Sequence, residues 1–126
     1  MASVEHLVPA WLTVPELAER LSIDAGKVRR LLAEHWLVGV RVGERGIFSV
    51  PADFLVATTP AGHEAATWAV VPALRGTITL LLDAGLDESE VIEWVFTPSE
   101  ELGTTPLEAM RAGRKAPVRR AAQSLF

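Results

Sequence analysis

Lys27, Arg29 and Arg30 fall within four residues of one another, and Arg41 and Arg45 follow in a segment bounded by glycines. A guanidinium is a planar fork of donors that matches a guanine edge or a phosphate, whereas an ammonium acts as a compact point charge. Over residues 25–45 five cations stand against two anions, a local excess of +3 in a chain whose net charge is −4. A second basic group, Arg114, Lys115, Arg119 and Arg120, closes the chain. These residues suit the gripping of a polyanion, and the elements that carry them decide whether they can act together.

Other chemistries lack their residue patterns. Asp87, Glu88, Glu90 and Glu93 could suggest paired carboxylates for acid–base work, but Asp87 and Glu90 fit helix capping and the others a wet helix face. His6, His35 and His63 are far apart and none has helical metal-ligand spacing, and there is no cysteine to supply a thiolate ligand or a disulfide. No nucleophile elbow, phosphate loop or dinucleotide fingerprint occurs, so no enzyme, catalytic residue, cofactor or metal is expected. The start lacks a basic segment followed by a long apolar run, and Pro, Gly or charge cuts every apolar stretch short of a membrane span. The expectation is a cytoplasmic protein without a membrane partner.

The 126 residues are 49% hydrophobic and 22% charged, enough to fold one compact unit with two lobes. In "LTVPELAERL", Val14, Leu17, Ala18 and Leu21 have the spacing of one helical face, with Thr13 as cap and Pro15 in the first turn. Asp24 caps a second helix with Val28, Leu31, Leu32 and His35 along its apolar seam. Gly26, Arg30 and Ala33 face away from that seam, flanked by Lys27 and Arg29.

Next, Val38, Val40 and Val42 alternate with Gly39 and Arg41, and "GERG" supplies the turn of a hairpin whose second strand starts near Ile47. "PADFL" reads as a single helical turn and "ATTPAGHEAA" as a connector. "TWAVV" reads as a short strand whose best use is to pair with the hairpin.

From Leu74 to Gly85, from Asp87 to Phe96, from Thr105 to Gly113 and from Pro117 onward the periodicity and caps predict four helices. The expected fold is therefore mainly α with a small β wing, a winged helix-turn-helix followed by a four-helix C-terminal lobe. Residues 1–56 form the first domain, 57–73 the connector and 74–126 the helical domain. The three parts carry net charges of −1 over 1–56, −7 over 57–104 and +4 over 105–126.

Helix, turn, helix and basic hairpin in that order over Thr13 to Val50 make the winged helix-turn-helix pattern. Its second helix enters the major groove of double-stranded DNA, which is about 12 Å wide. Small Gly26 and Ala33 permit close approach. Arg30 and Lys27 are then expected to reach base edges or phosphates and Arg29 a flanking phosphate, with Arg41 and Arg45 on the backbone beside the groove. Arg114, Lys115, Arg119 and Arg120 are candidates for a second DNA contact or a partner contact, weighed against a solubilising helix end favoured by the helix dipole.

The stretch "WLTVPELAERLSIDAGKVRRLLAEHWLVGVRVGERGIFSVPADFL" resembles the DNA-binding domain of the excisionase and MerR-type winged-helix group. "LLDAGLDESEVIEWVFTPSEELGTTPLEAMRAGRKAPVRRAAQSLF" resembles the C-terminal region of a family of small actinobacterial DNA-binding proteins, marked here by Gly85, Trp94, Phe96-Thr97-Pro98, Pro106, Arg119-Arg120 and Gln123. The resemblance implies sequence-directed DNA binding, and so transcriptional regulation, by the first half and a helical domain of unassigned function in the second. "TPLEAMRAGR" is also similar to the toxin-binding regions of certain bacterial antitoxins. The competing expectation is thus a protein-interaction adaptor with a degenerate winged helix. A homodimer or a protein partner through the C-terminal helices is a further expectation.

Overall fold

In the computed structural model the described residues are 4–59, 62 and 67–126. His63 and most of the tip of the expected connector lie outside them. Among the described residues six α-helices make up about two fifths of the chain, and five strands form two small antiparallel sheets.

The first helix, α1 (Val14–Leu21), starts in a capping box: Thr13 Oγ1 accepts from Glu16 N at 3.4 Å, and Glu16 Oε1 accepts from Thr13 N at 2.9 Å. Pro15 sits in its first turn, where no intrahelical donor is lost. Asp24 caps α2 (Ala25–Ala33) through a 2.8 Å bond from Lys27 N.

Both helices end on a left-handed residue that is not glycine, Ser22 at φ 58° and His35 at φ 63°. After α2, Trp36 N returns to Leu31 O at 2.9 Å and His35 N to Leu32 O at 3.2 Å, the paired bonds of a Schellman ending. This corrects the expectation for His35. It lies beyond the helix and is exposed, because the chain reverses at its own Cα.

The hairpin is β2 (Val40–Val42) with β3 (Ile47–Pro51), paired from Val40↔Ser49 to Val42↔Ile47. Val38, expected in the first strand, is buried ahead of it. An unanticipated strand, β1 (Trp11–Thr13), pairs with the other edge of β3, so the wing is rooted in a three-stranded sheet of order β1-β3-β2.

After a 3-10 turn at Ala52–Phe54, β4 (Leu55–Thr58) and β5 (Thr67–Val70) form a separate two-stranded ribbon. "TWAV" is thus a strand, but its partner is β4 and not the hairpin, because β3 already has a strand on each edge. Strand periodicity turns Trp68 and Val70 towards α1, where Arg20 lies 4.7 Å from the Trp68 ring. Val56 and Thr58 turn the other way, towards Met110, Arg111 and Lys115.

The remaining helices are α3 (Leu74–Asp83), α4 (Glu88–Phe96), α5 (Pro106–Arg111) and α6 (Lys115–Gln123). Asp87 and Glu90 form the expected capping box, and Thr105 caps α5 with Pro106 first. Gly85 and Gly113 take positive φ at the ends of α3 and α5. The last helix begins two residues earlier than expected, so Pro117 lies inside its first turn.

One apolar core runs through both halves, with Leu17, Val28, Leu37, Val50 and Phe54 joined to Ile78, Leu81, Ile92, Leu107 and Val118. The Phe54 and Phe96 rings meet at 6.0 Å between centroids. Trp11 and Trp94 are half-buried against this core, while Trp36 and Trp68 are 38% and 37% exposed.

Candidate nucleic-acid interface

Val28 is fully buried and fixes the rotation of α2 about its axis. With 100° per residue, Gly26, Arg30 and Ala33 crown the opposite face, Arg29 leans to one flank and Lys27 to the other, and all five are exposed. The two flanks border different grooves. On the wing side a groove of about 560 Å³ is lined by Leu32, His35, Arg41 and Phe48, with Asp87 and Glu88 at the start of α4 closing its far rim. On the other side Lys27, Arg30 and Glu34 line a groove of about 360 Å³ over Leu21, Ile23 and Val70.

The wing is built for a tight shape. Its turn runs from Gly43 to Gly46, both at positive φ, and Gly46 N bonds Gly43 O at 3.1 Å. Glu5 Oε1 accepts from Gly43 N at 3.1 Å, which ties the tip to the 3-10 turn Val4–His6. Arg41 Nη1 donates to Gly46 O at 3.0 Å, bracing the turn from its own strand. At Gly39 a Cβ would come within 2.5 Å of Ser49 O and 2.7 Å of the Phe48 ring, so the chain enters the wing through a gap only glycine fits.

The structure sorts the twelve Lys and Arg residues by task. Five are engaged. Arg20 lies over Trp68, Arg41 holds the wing turn, and Arg75 lies 4.7 Å from the Trp36 ring while its Nε donates to Glu34 O at 3.0 Å. Arg111 Nη1 donates to Asp53 O at 2.7 Å and Leu55 O at 2.6 Å, and Arg114 Nη1 to Leu102 O at 3.1 Å.

The side chains of Lys27, Arg29, Arg30, Arg45, Lys115, Arg119 and Arg120 make no hydrogen bond or ion pair among the described residues. The ion pair between described residues is Arg111 with Glu108 at 3.7 Å. Four of the unpaired cations therefore belong to α2 and the wing tip, and three to α6. Arg114 stands at the start of α6 and Lys115 is its first residue, the positive end of that helix rather than a negative one.

Sequence reasoning missed Arg75 and Glu5. Arg75 did carry a signal, as the one cation in an acidic stretch of 48 residues, 57–104. Glu16 is held below the ordinary carboxylate range, first by the hydrogen bond from the Thr13 backbone and then by that with its side chain. Among the described residues no group of three or more His, Cys, Asp and Glu could hold a metal ion, and no helix is long and apolar enough to cross a membrane.

Comparison with known proteins divides the chain in two. The family model described as the winged helix-turn-helix domain of DNA-binding protein Rv2175c matches residues 4–55, and that of the Rv2175c C-terminal domain of unknown function matches residues 71–125. DNA-binding protein Rv2175c of Mycobacterium tuberculosis is 32% identical over 124 residues, spanning 89% of this chain and 77% of that protein. The NMR structure of Rv2175c aligns with a TM-score of 0.70 at 28% identity, covering 93% of this chain and 82% of that one.

Proposed function

The chain belongs to the Rv2175c family of DNA-binding proteins, and from that premise we propose that it binds double-stranded DNA in a sequence-directed way as a cytoplasmic regulator of transcription. The recognition helix is α2 and the hairpin wing rides on the backbone beside it. The observation that carries this reading is that Lys27, Arg29, Arg30 and Arg45 are exposed and unpaired in a chain of net charge −4.

The roles differ by position. Arg30 crowns the exposed face between two small residues and reads a base edge, Lys27 and Arg29 reach bases or phosphates on its flanks, and Arg45 meets a phosphate from the wing tip. Arg41 keeps the wing in shape and adds charge to the backbone contact. Asp87 and Glu88, across the groove from Arg41, repel a duplex that slides past the wing and so limit its approach to one side.

Under this reading residues 1–56 are the DNA-binding domain, 57–73 a spacer and 74–126 a four-helix domain that braces it. The exposed cations of α6, Lys115, Arg119 and Arg120, with Arg114 beside them, are a second contact with DNA or with a protein partner. Selection of bound fragments from genomic DNA tests the reading. Enrichment of a discrete sequence is expected; recovery of random fragments would overturn sequence-directed binding, and recovery of none would favour a protein-interaction adaptor.

A further inference from the structure

Among the described residues, one of the two edges of the β4–β5 ribbon has no strand or hydrogen-bond partner. Val71 N donates to Phe54 O at 2.9 Å, extending the register Leu55↔Val70 and Val56↔Ala69 by one pair. Bonded and non-bonded pairs alternate along an antiparallel ladder. Val56 with Ala69 and Thr58 with Thr67 therefore exchange the hydrogen bonds, and the N–H and C=O groups of Leu55, Ala57, Trp68 and Val70 point outward. On the β4 side Arg111 takes the outward carbonyl of Leu55, which agrees with this parity and blocks that edge. On the β5 side no hydrogen bond from a described residue reaches the backbone of Trp68 or Val70.

Sheet edges are ordinarily protected by a charge, a proline or a bulge. Thr67–Val70 carries no charge and no proline, and its first three residues are exposed. We propose that β5 pairs with β5 of a second copy of this chain across a twofold axis, joining two ribbons into one four-stranded antiparallel sheet. The outward groups select the register. With Trp68 opposite Val70 of the second copy, every outward group on both strands finds a partner, and Ala69 meets its own equivalent on the axis.

The charges beside the edge fit the same register. Trp68 borders a groove of about 370 Å³ that holds Glu16, Glu19 and Arg20, an excess of acid. Val70 borders the groove that holds Lys27, Arg30 and Glu34, an excess of base. Pairing Trp68 with Val70 sets the acidic groove of each copy against the basic groove of the other, whereas a register centred on Trp68 would set acid against acid. A twofold axis normal to the sheet keeps both α1 helices on one side of it.

A thiol at the axis tests this directly, since the chain has no cysteine of its own. A non-bonded antiparallel pair has Cα atoms about 4.5 Å apart, within the range of a disulfide. Full-length Ala69→Cys, oxidised with glutathione disulfide without DNA, is expected to form a covalent dimer, while Ala116→Cys on the exposed face of α6 stays monomeric. In sedimentation velocity the wild-type chain is expected at twice the mass of one chain. Ala69→Lys, which opposes two like charges on the axis from an exposed position, is expected to return it to monomer with its circular dichroism unchanged. Cross-linking of Ala69→Cys no faster than Ala116→Cys, a monomeric wild type, or an Ala69→Lys dimer would each overturn the proposal. No DNA enters these measurements, so a failure of the DNA-binding reading would be registered elsewhere.

Discussion

Arg75 Nε donates a 3.0 Å hydrogen bond to the backbone carbonyl of Glu34, so a side chain of α3 closes the end of α2. The same guanidinium lies 4.7 Å from the ring of Trp36, the residue at which the chain turns away from the helix. Positive charge at a helix C-terminus is favourable in itself. The second half of the molecule thus fixes where α2 stops.

Replacing Arg75 with Ala removes a charged donor and a cation–π contact, together worth about 1–2 kcal/mol at an exposed site. Urea unfolding should show a loss of that size. Hydrogen exchange should quicken at the amides of His35 and Trp36, which close the end of α2. Unchanged exchange there would mean that the Schellman bonds hold without the bracket.

His35 occupies a left-handed position that costs a side-chain-bearing residue about 1 kcal/mol. The substitution His35→Gly is therefore expected to raise stability by up to about 1 kcal/mol, offset in part by the greater freedom of glycine in the unfolded chain. Thermal unfolding of the pair of proteins measures it, and a lower midpoint for the glycine variant would contradict the assignment.

This position also marks where the sequence was legible and where it was not. Caps depend on neighbours three residues apart, so Thr13, Asp24, Asp87 and Thr105 could be read directly as helix starts. The stop after α2 has no glycine to announce it, and the apolar period ran on through His35. Strands β1 and β4 escaped for another reason: three or four residues carry little period, and each exists because a distant segment pairs with it. The cations of the interface were legible as a group, but their division into braces and free charges was not. That division depends on carbonyls such as Gly46 O and Leu55 O that only the folded chain brings near.

Gly39 is expected to tolerate no side chain. A Cβ 2.5 Å from Ser49 O must push against backbone rather than a mobile side chain, so Gly39→Ala should cost about 1–3 kcal/mol, the range for forced overpacking. Urea unfolding measures the loss, and DNA affinity should fall with it because the displaced segment carries the wing. A variant as stable as the parent would show that Phe48 and β3 can shift aside.

The lowered pKa of Glu16 links the start of α1 to pH. A carboxylate held below its unfolded value contributes stability above that unfolded value and loses it as pH falls through the folded value. Acid titration of unfolding should show this loss in the wild type and a flatter profile in Glu16→Gln, whose amide oxygen can still accept from Thr13 N. Parallel profiles would deny Glu16 a part in acid unfolding.

The central claim is that unpaired cations on α2 and the wing tip bind a duplex. Its most direct test is fluorescence anisotropy of the full chain with a labelled duplex obtained by fragment selection, followed across salt concentration. The five cations of α2 and the wing give a slope of log affinity against log salt no steeper than about −4.5, and participation of Lys115, Arg119 and Arg120 would steepen it to about −7. Arg30→Ala should lose about 1–3 kcal/mol on the selected sequence and far less on random DNA. Binding that ignores salt, or an Arg30→Ala variant that binds the selected duplex as tightly as the parent, would contradict the account.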